Sequence, residues 1–285
     1  MKTELKIMLN RRTFKITFTI MMLMVVYAYL FYTFKYRGED ISKMISVEWL
    51  YIFSLESPVV NALMTIFPFV AIIPYGFSAF YDRQTHTDVL MDIRSNNKKK
   101  HLWNQYITCF ISGFIVVTIP FLIGIFLNYI TFKNTGWKAI DYYGFDNYSA
   151  LLTGEADYTE AITKKGLSFL RLYMLSPVMY NIFYAIIAGI LSGVCSMFNY
   201  ALSLMVKRYK ILILLPSYIL LYIFGYLKAI IGYSGVKIET NLLEYLVMDI
   251  TCGKYWIYFV SILIAMILIS AIIVKIVSRK ELSYE

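Results

Sequence analysis

Six apolar blocks, each long enough to cross the hydrocarbon core of a bilayer, govern what this 285-residue chain can become. They run roughly over 15–34, 58–80, 105–130, 177–206, 211–233 and 255–277. A helix rises about 1.5 Å per residue, so about 20 consecutive apolar residues reach across. Hydrocarbon offers no water to unpaired peptide groups, so a block that crosses must be helical. The expectation is an all-α integral membrane protein with six transmembrane helices, residues 1–285 forming one domain. Nothing between the blocks is long enough to bury a separate soluble core. Composition agrees: 59% of residues are hydrophobic and 16% charged, far from the balance of a soluble domain.

The net charge of +9 would point a soluble protein towards nucleic acid, but its distribution gives a different answer. With the N-terminus placed inside, the inner segments carry 16 basic and 6 acidic residues, a balance of about +10. The other segments carry 11 basic and 12 acidic residues, a balance of about −1. By the positive-inside rule both termini are expected in the cytoplasm, and no nucleic-acid partner is expected. The first block is too long for a cleavable signal peptide, and no small-residue cleavage site follows it, so it is expected to stay as a span.

Between the second and third blocks lies the longest polar insertion with a helical pattern, residues 81–103. Thr85 and Asp88 match the S/T-x-x-D/E spacing of a capping box. Val89, Leu90 and Ile93 then share one face, while Asp88 and Asp92 fall on another. The pattern runs out at Arg94, before Ser95-Asn96-Asn97 and the cluster Lys98-Lys99-Lys100. A short amphipathic helix between two spans is suited to docking a soluble partner. An ordinary basic loop that only fixes topology satisfies the same residues equally well.

Elsewhere, Leu5, Ile7, Met8 and Leu9 alternate with Lys2, Lys6, Arg11 and Arg12, as in an amphipathic segment lying on the inner leaflet. Trp49, Tyr51 and Phe53, in the loop 35–56, fit an interfacial aromatic belt. Pro68, Pro74 and Gly76 should kink the second block and free carbonyls for neighbouring helices. Residues 131–176 read as a long acidic and aromatic outer loop. Gly189 and Gly193 form a G-x-x-x-G, read as close packing within one subunit rather than a dimer seam. The apolar stretch 241–253 is too short to cross and suits an interfacial or re-entrant segment.

Catalytic and cofactor chemistry finds no foothold. The two histidines, His86 and His101, lie in a loop on this reading, and Cys109, Cys195 and Cys252 are scattered, so no zinc site forms. No H-E-x-x-H, nucleophile elbow or G-x-x-x-x-G-K-[ST] phosphate loop occurs. The expectation is a non-enzyme with no cofactor in this chain. Asn61, Asn181 and Asn199 stand out as the strong polar groups of the blocks, read as helix–helix hydrogen-bonding groups.

The whole pattern resembles the membrane subunits (permeases) of ABC-2-type exporters. Those have a basic elbow, six spans, a coupling helix between the second and third, a short inner turn between the fourth and fifth, and short re-entrant helices before the sixth. The most specific match is in the coupling loop, where Asp82, His86-Thr87, Val89-Leu90-Met91 and Lys98-Lys99-Lys100 follow the family's order. His86 replaces the usual glycine and the proline after the helix is absent, marking a divergent member.

The resemblance implies an ATPase-coupling interface at Asp82, Thr87, Val89, Leu90, Ile93 and Arg94. It implies a cytoplasmic ABC ATPase subunit that binds the ATP and a second permease subunit, in a bacterial plasma membrane. The cargo would be amphipathic: a lipid, peptide, antibiotic or glycan. A non-transport scaffold or sensor is the alternative class, and an intramembrane enzyme a third.

The charge asymmetry makes a direct prediction. In intact cells, a membrane-impermeant thiol reagent should label an introduced Ser149→Cys and spare Ser95→Cys. The reverse pattern would invert the topology.

Overall fold

The computed structural model describes residues 2–39, 47–54, 57–84, 98–132, 169–206, 216–221, 242–247 and 256–280. Among them every extended regular element is a helix and none is a strand. The helices are α1 (Lys2–Asn10), α2 (Arg12–Lys35), α3 (Val60–Ile72), α4 (Ser78–Gln84), α5 (Lys98–Thr131), α6 (Leu170–Leu175), α7 (Pro177–Met205) and α8 (Trp256–Lys280). Two 3₁₀ turns, Val47–Leu50 and Glu244–Leu246, are inserted among them, and residues 216–221 form a further helical piece.

Four of these helices, α2, α5, α7 and α8, are long and apolar enough to cross a membrane. They correspond to the blocks 15–34, 105–130, 177–206 and 255–277. The block 211–233 lies outside the described residues except for 216–221.

Helix α7 is the most enclosed of the four, and α3, α4, α5, α6 and α8 all pack against it. It opens on Pro177, whose missing N–H costs nothing at a first position, and the Ser176 hydroxyl accepts a hydrogen bond from the Met179 amide. Its widest contact is with α5, and glycines explain why. A Cβ on Gly113 would stand 2.7 Å from the Ser192 carbonyl oxygen, and one on Gly193 would stand 2.6 Å from the Phe110 ring. The G-x-x-x-G pair therefore faces a helix of its own chain, and Ser192 adds a hydrogen bond to the Gly113 carbonyl at 2.9 Å. Helix α2 then lies on α5. Its buried residues Phe14, Thr17, Met21, Val25, Ala28 and Tyr32 recur every three or four positions, a single stripe. The opposite faces of α2 and α8 expose Ile16, Leu23, Tyr27, Phe34, Ile257 and Ile264. Large aliphatic side chains on both faces suit a helix between protein and lipid, not one facing water.

The block 58–80 departs from a straight crossing. Helix α3 is 13 residues long and ends at Ile72; a turn over 73–77 precedes α4. Pro74 has no N–H to continue the ladder. The carbonyls released there are taken by neighbours: Pro74 O accepts from the Thr13 hydroxyl at 3.2 Å, and Tyr75 O from the Cys109 thiol at 3.6 Å.

A second departure concerns residues 47–54. Trp49, Tyr51 and Phe53 are not an interfacial belt but are all buried. Tyr51 and Phe53 meet Phe121 edge-on, and Phe53 also meets Phe67. The turn can be buried because side chains satisfy its backbone: Asn181 donates to the Glu48 carbonyl at 3.1 Å and Asn128 to the Leu50 carbonyl at 3.0 Å. Of the stretch 241–253, the described part, 242–247, is a buried 3₁₀ turn whose Tyr245 packs on Trp256 and Phe259.

The α5–α7 seam predicts an asymmetric response to small changes. Gly113→Ala drives a methyl into a backbone carbonyl and should cost about 1–3 kcal/mol. Ile257→Ala, on an exposed face of α8, should cost less despite removing more atoms. Detergent-titrated unfolding of the two purified variants measures the order, and equal midpoints would contradict the seam.

Candidate functional site

Two polar centres interrupt the apolar bundle. The first gathers where α1, α4, the start of α5 and the end of α7 meet. Helix α1 stops at Asn10, and Arg11, in extended conformation, turns the chain into α2. That break aims the Arg11 guanidinium at α4, where Nη2 lies 2.6 Å from Asp82 Oδ1. The other carboxylate oxygen accepts from Gln105 Nε2 at 2.9 Å. Gln105 in turn accepts through Oε1 from the Tyr200 hydroxyl on α7, also at 2.9 Å. The guanidinium lies 4.7 Å from the centre of the Tyr75 ring, a cation–π contact.

Alongside runs a second pair. Glu4 Oε1 on α1 lies 3.1 Å from His101 Nδ1 on α5, and Tyr75 donates to Glu4 Oε2 at 3.3 Å. Both partners are about nine-tenths buried. Burial alone would raise the Glu4 carboxyl; the hydrogen bond and charge of His101 outweigh it, with help from Tyr75 and the N-terminus, and hold it below 4.5. His101 and Gln105 are four residues apart, so one face of α5 receives both α1 and α4. Nearby, Tyr106 shares a hydrogen bond with Ser270 of α8 at 2.7 Å.

The second centre surrounds Glu48, which is completely buried. Tyr173 of α6 donates to Glu48 Oε1 at 2.7 Å, while Asn128 of α5 and Asn181 of α7 hold the carbonyls of the same turn, as above. Glu48 forms no ion pair among the described residues.

Of the residues expected at a coupling interface, Asp82 is placed by the structure, with both carboxylate oxygens engaged within the chain. Thr87, Val89, Leu90, Ile93 and Arg94 lie outside the described residues. Of the three asparagines, Asn61 is exposed, while Asn181 and Asn199 are buried. Asn199 donates to the Cys195 carbonyl at 2.8 Å and to the Ser217 hydroxyl.

Sequence reasoning missed Glu48, Glu4 and His101. Glu48 sat inside a loop reading, although a single carboxylate within the apolar run Val47–Phe53 was a signal of burial. His101 was read as a loop residue but lies within α5.

The chemistry of both centres is hydrogen bonding and charge pairing. No group of three or more His, Cys, Asp or Glu able to hold a metal ion occurs among the described residues. Four long apolar helices define the class, a helical membrane-spanning protein. Beyond that class, no family model, no curated protein and no solved structure matches this chain.

The lowered Glu4 value fixes the sign of a pH response. The contribution of Glu4 to docking α1 is complete above the ordinary value of 4.5 and is lost as pH falls through the lower folded value. Spin labels at Leu9→Cys and Lys99→Cys, with Cys252→Ser, should report a narrow distance distribution at neutral pH that broadens only in acid below 4.5. Glu4→Gln should broaden it at every pH. A distribution indifferent to both changes would show that the pair does not hold α1.

Proposed function

We propose that this chain is the membrane-spanning subunit of an ATP-driven exporter of the ABC-2 type, working with a separate ATPase subunit. The observation that carries the reading is how the polar insertion is mounted. Residues 85–97 leave from α4 and return at the start of α5. The Asp82–Gln105 hydrogen bond ties these two helices together, Arg11 ties them to the α1–α2 junction, and Tyr200 ties them to α7. A loop that only fixed topology would need no such mounting. A loop that receives a push needs both ends fastened to the bundle, and this one has them.

In this reading Asp82 positions the loop, Val89, Leu90 and Ile93 seat in a groove of the ATPase, and Thr87 and Arg94 flank the contact. The six apolar blocks make six spans, with α1 as the interfacial elbow and 241–253 as a re-entrant segment before the last. Two such subunits pair, and both termini face the cytoplasm of a bacterial cell. The chain has no phosphate-binding loop, so the energy for transport comes from the partner. The cargo is amphipathic, matching a bundle rich in aromatic side chains and methionine.

Leu90→Asp tests the assignment. It would bury an unpaired carboxylate in the groove, at about 2–5 kcal/mol by analogy with broken buried charge pairs, and so weaken association by roughly 30-fold or more. The variant should insert and accumulate normally, yet lose the nucleotide-binding subunit in a pull-down from membranes. Retention of that subunit by the variant, or its absence from the parent, would remove the exporter reading and favour a scaffold or sensor.

A further inference from the structure

The Glu48 centre has a property that packing does not explain: its unanswered groups are oxygens. Tyr173 satisfies Glu48 Oε1, but Oε2 is buried with no hydrogen-bond partner among the described residues. The Oδ1 atoms of Asn128 and Asn181 are in the same condition. Both asparagines spend their amide nitrogens on carbonyls of the turn that bears Glu48, which leaves each Oδ1 as an acceptor only. All three residues are more than nine-tenths buried. An unanswered polar group in such a place costs free energy, and an unpaired carboxylate costs more.

We propose that Glu48, Asn128 and Asn181 form a binding site for a dehydrated alkali-metal cation of the sodium or potassium type. The donor set is one carboxylate and two carboxamide oxygens, the hard oxygen ligands that such ions take. A single positive charge balances the single carboxylate, whereas a divalent ion would leave an excess charge buried. A proton on Oε2 would cancel the charge but answer one further acceptor at most. A water molecule has two hydrogens for three acceptors and leaves the charge in place. One cation answers all three oxygens and the charge together.

The ligands come from three separate elements: Asn128 near the end of α5, Asn181 in the first turns of α7, and Glu48 on the turn between them. An ion bound there would pin that turn to the α5–α7 pair. This inference is independent of the transport reading and stands for any membrane protein built this way.

The test uses the full chain in detergent or nanodiscs. Thermal unfolding is followed while lithium, sodium or potassium chloride replaces N-methylglucamine chloride at constant ionic strength and pH. Binding to the folded state alone predicts a saturable rise in the midpoint with at least one alkali ion. Glu48→Gln should abolish the rise, and Asn128→Ala or Asn181→Ala should move its half-maximal concentration up by about tenfold or more. If Glu48→Gln does not yield folded protein, the two asparagine variants and the parent decide the matter. A parent midpoint indifferent to the identity of the cation overturns the proposal. So does a cation response that survives in all three variants, or stabilisation by acid alone, which would assign the site to a proton.

Discussion

The approach of α5 to α7 is the constraint on which the other contacts rest. Without a Cβ at Gly113 and Gly193, the two backbones come close enough for the Ser192 hydroxyl to reach a carbonyl on the opposite helix. In hydrocarbon there is little hydrophobic drive between helices, so dispersion at short range and buried hydrogen bonds must do the holding. Once the pair is set, α2 lays its stripe on α5 and α8 lays its own on α7. The turn 47–50 closes over both. Widening the seam by one methyl would loosen every one of these surfaces at once.

Each polar centre sits where that frame leaves backbone or charge to be answered. Around Tyr75, the chain is broken between α3 and α4, and Thr13 and Cys109 take the exposed carbonyls. Around Glu48, the irregular turn is tolerated at depth because carboxamides on α5 and α7 stand in for a helical ladder. Irregular backbone among spanning helices is stable where protein surrounds it, and both places meet that condition.

Much of this was legible in the sequence. The blocks at 15–34, 105–130, 177–206 and 255–277 announce long helices because apolar length alone decides them. Pro74 announced the interruption of the second block, since a residue without an N–H cannot continue the ladder. The burial of Trp49, Tyr51 and Phe53 was not legible, because an aromatic run beside a span reads the same at an interface as in a core. What decides between them is Asn128 and Asn181, distant in sequence and brought together only by the fold. The Glu4–His101 and Arg11–Asp82 pairs were hidden for the same reason. Local periodicity describes a face but not the partner that will meet it. Of the coupling loop, only the mounting at Asp82 falls among the described residues.

The broken second block has a mechanical consequence. Helix α4 is joined covalently to α3 through a turn, but its charged grip is on Arg11 and Gln105. A force applied to α4 therefore travels first to the head of α2 and the first turns of α5, not along the axis of α3. The proline-bearing turn works as a slack joint, while the arginine and glutamine act as tie rods. Helix α3 can stay at rest while its apparent continuation moves, so two halves of one apolar block belong to different moving parts.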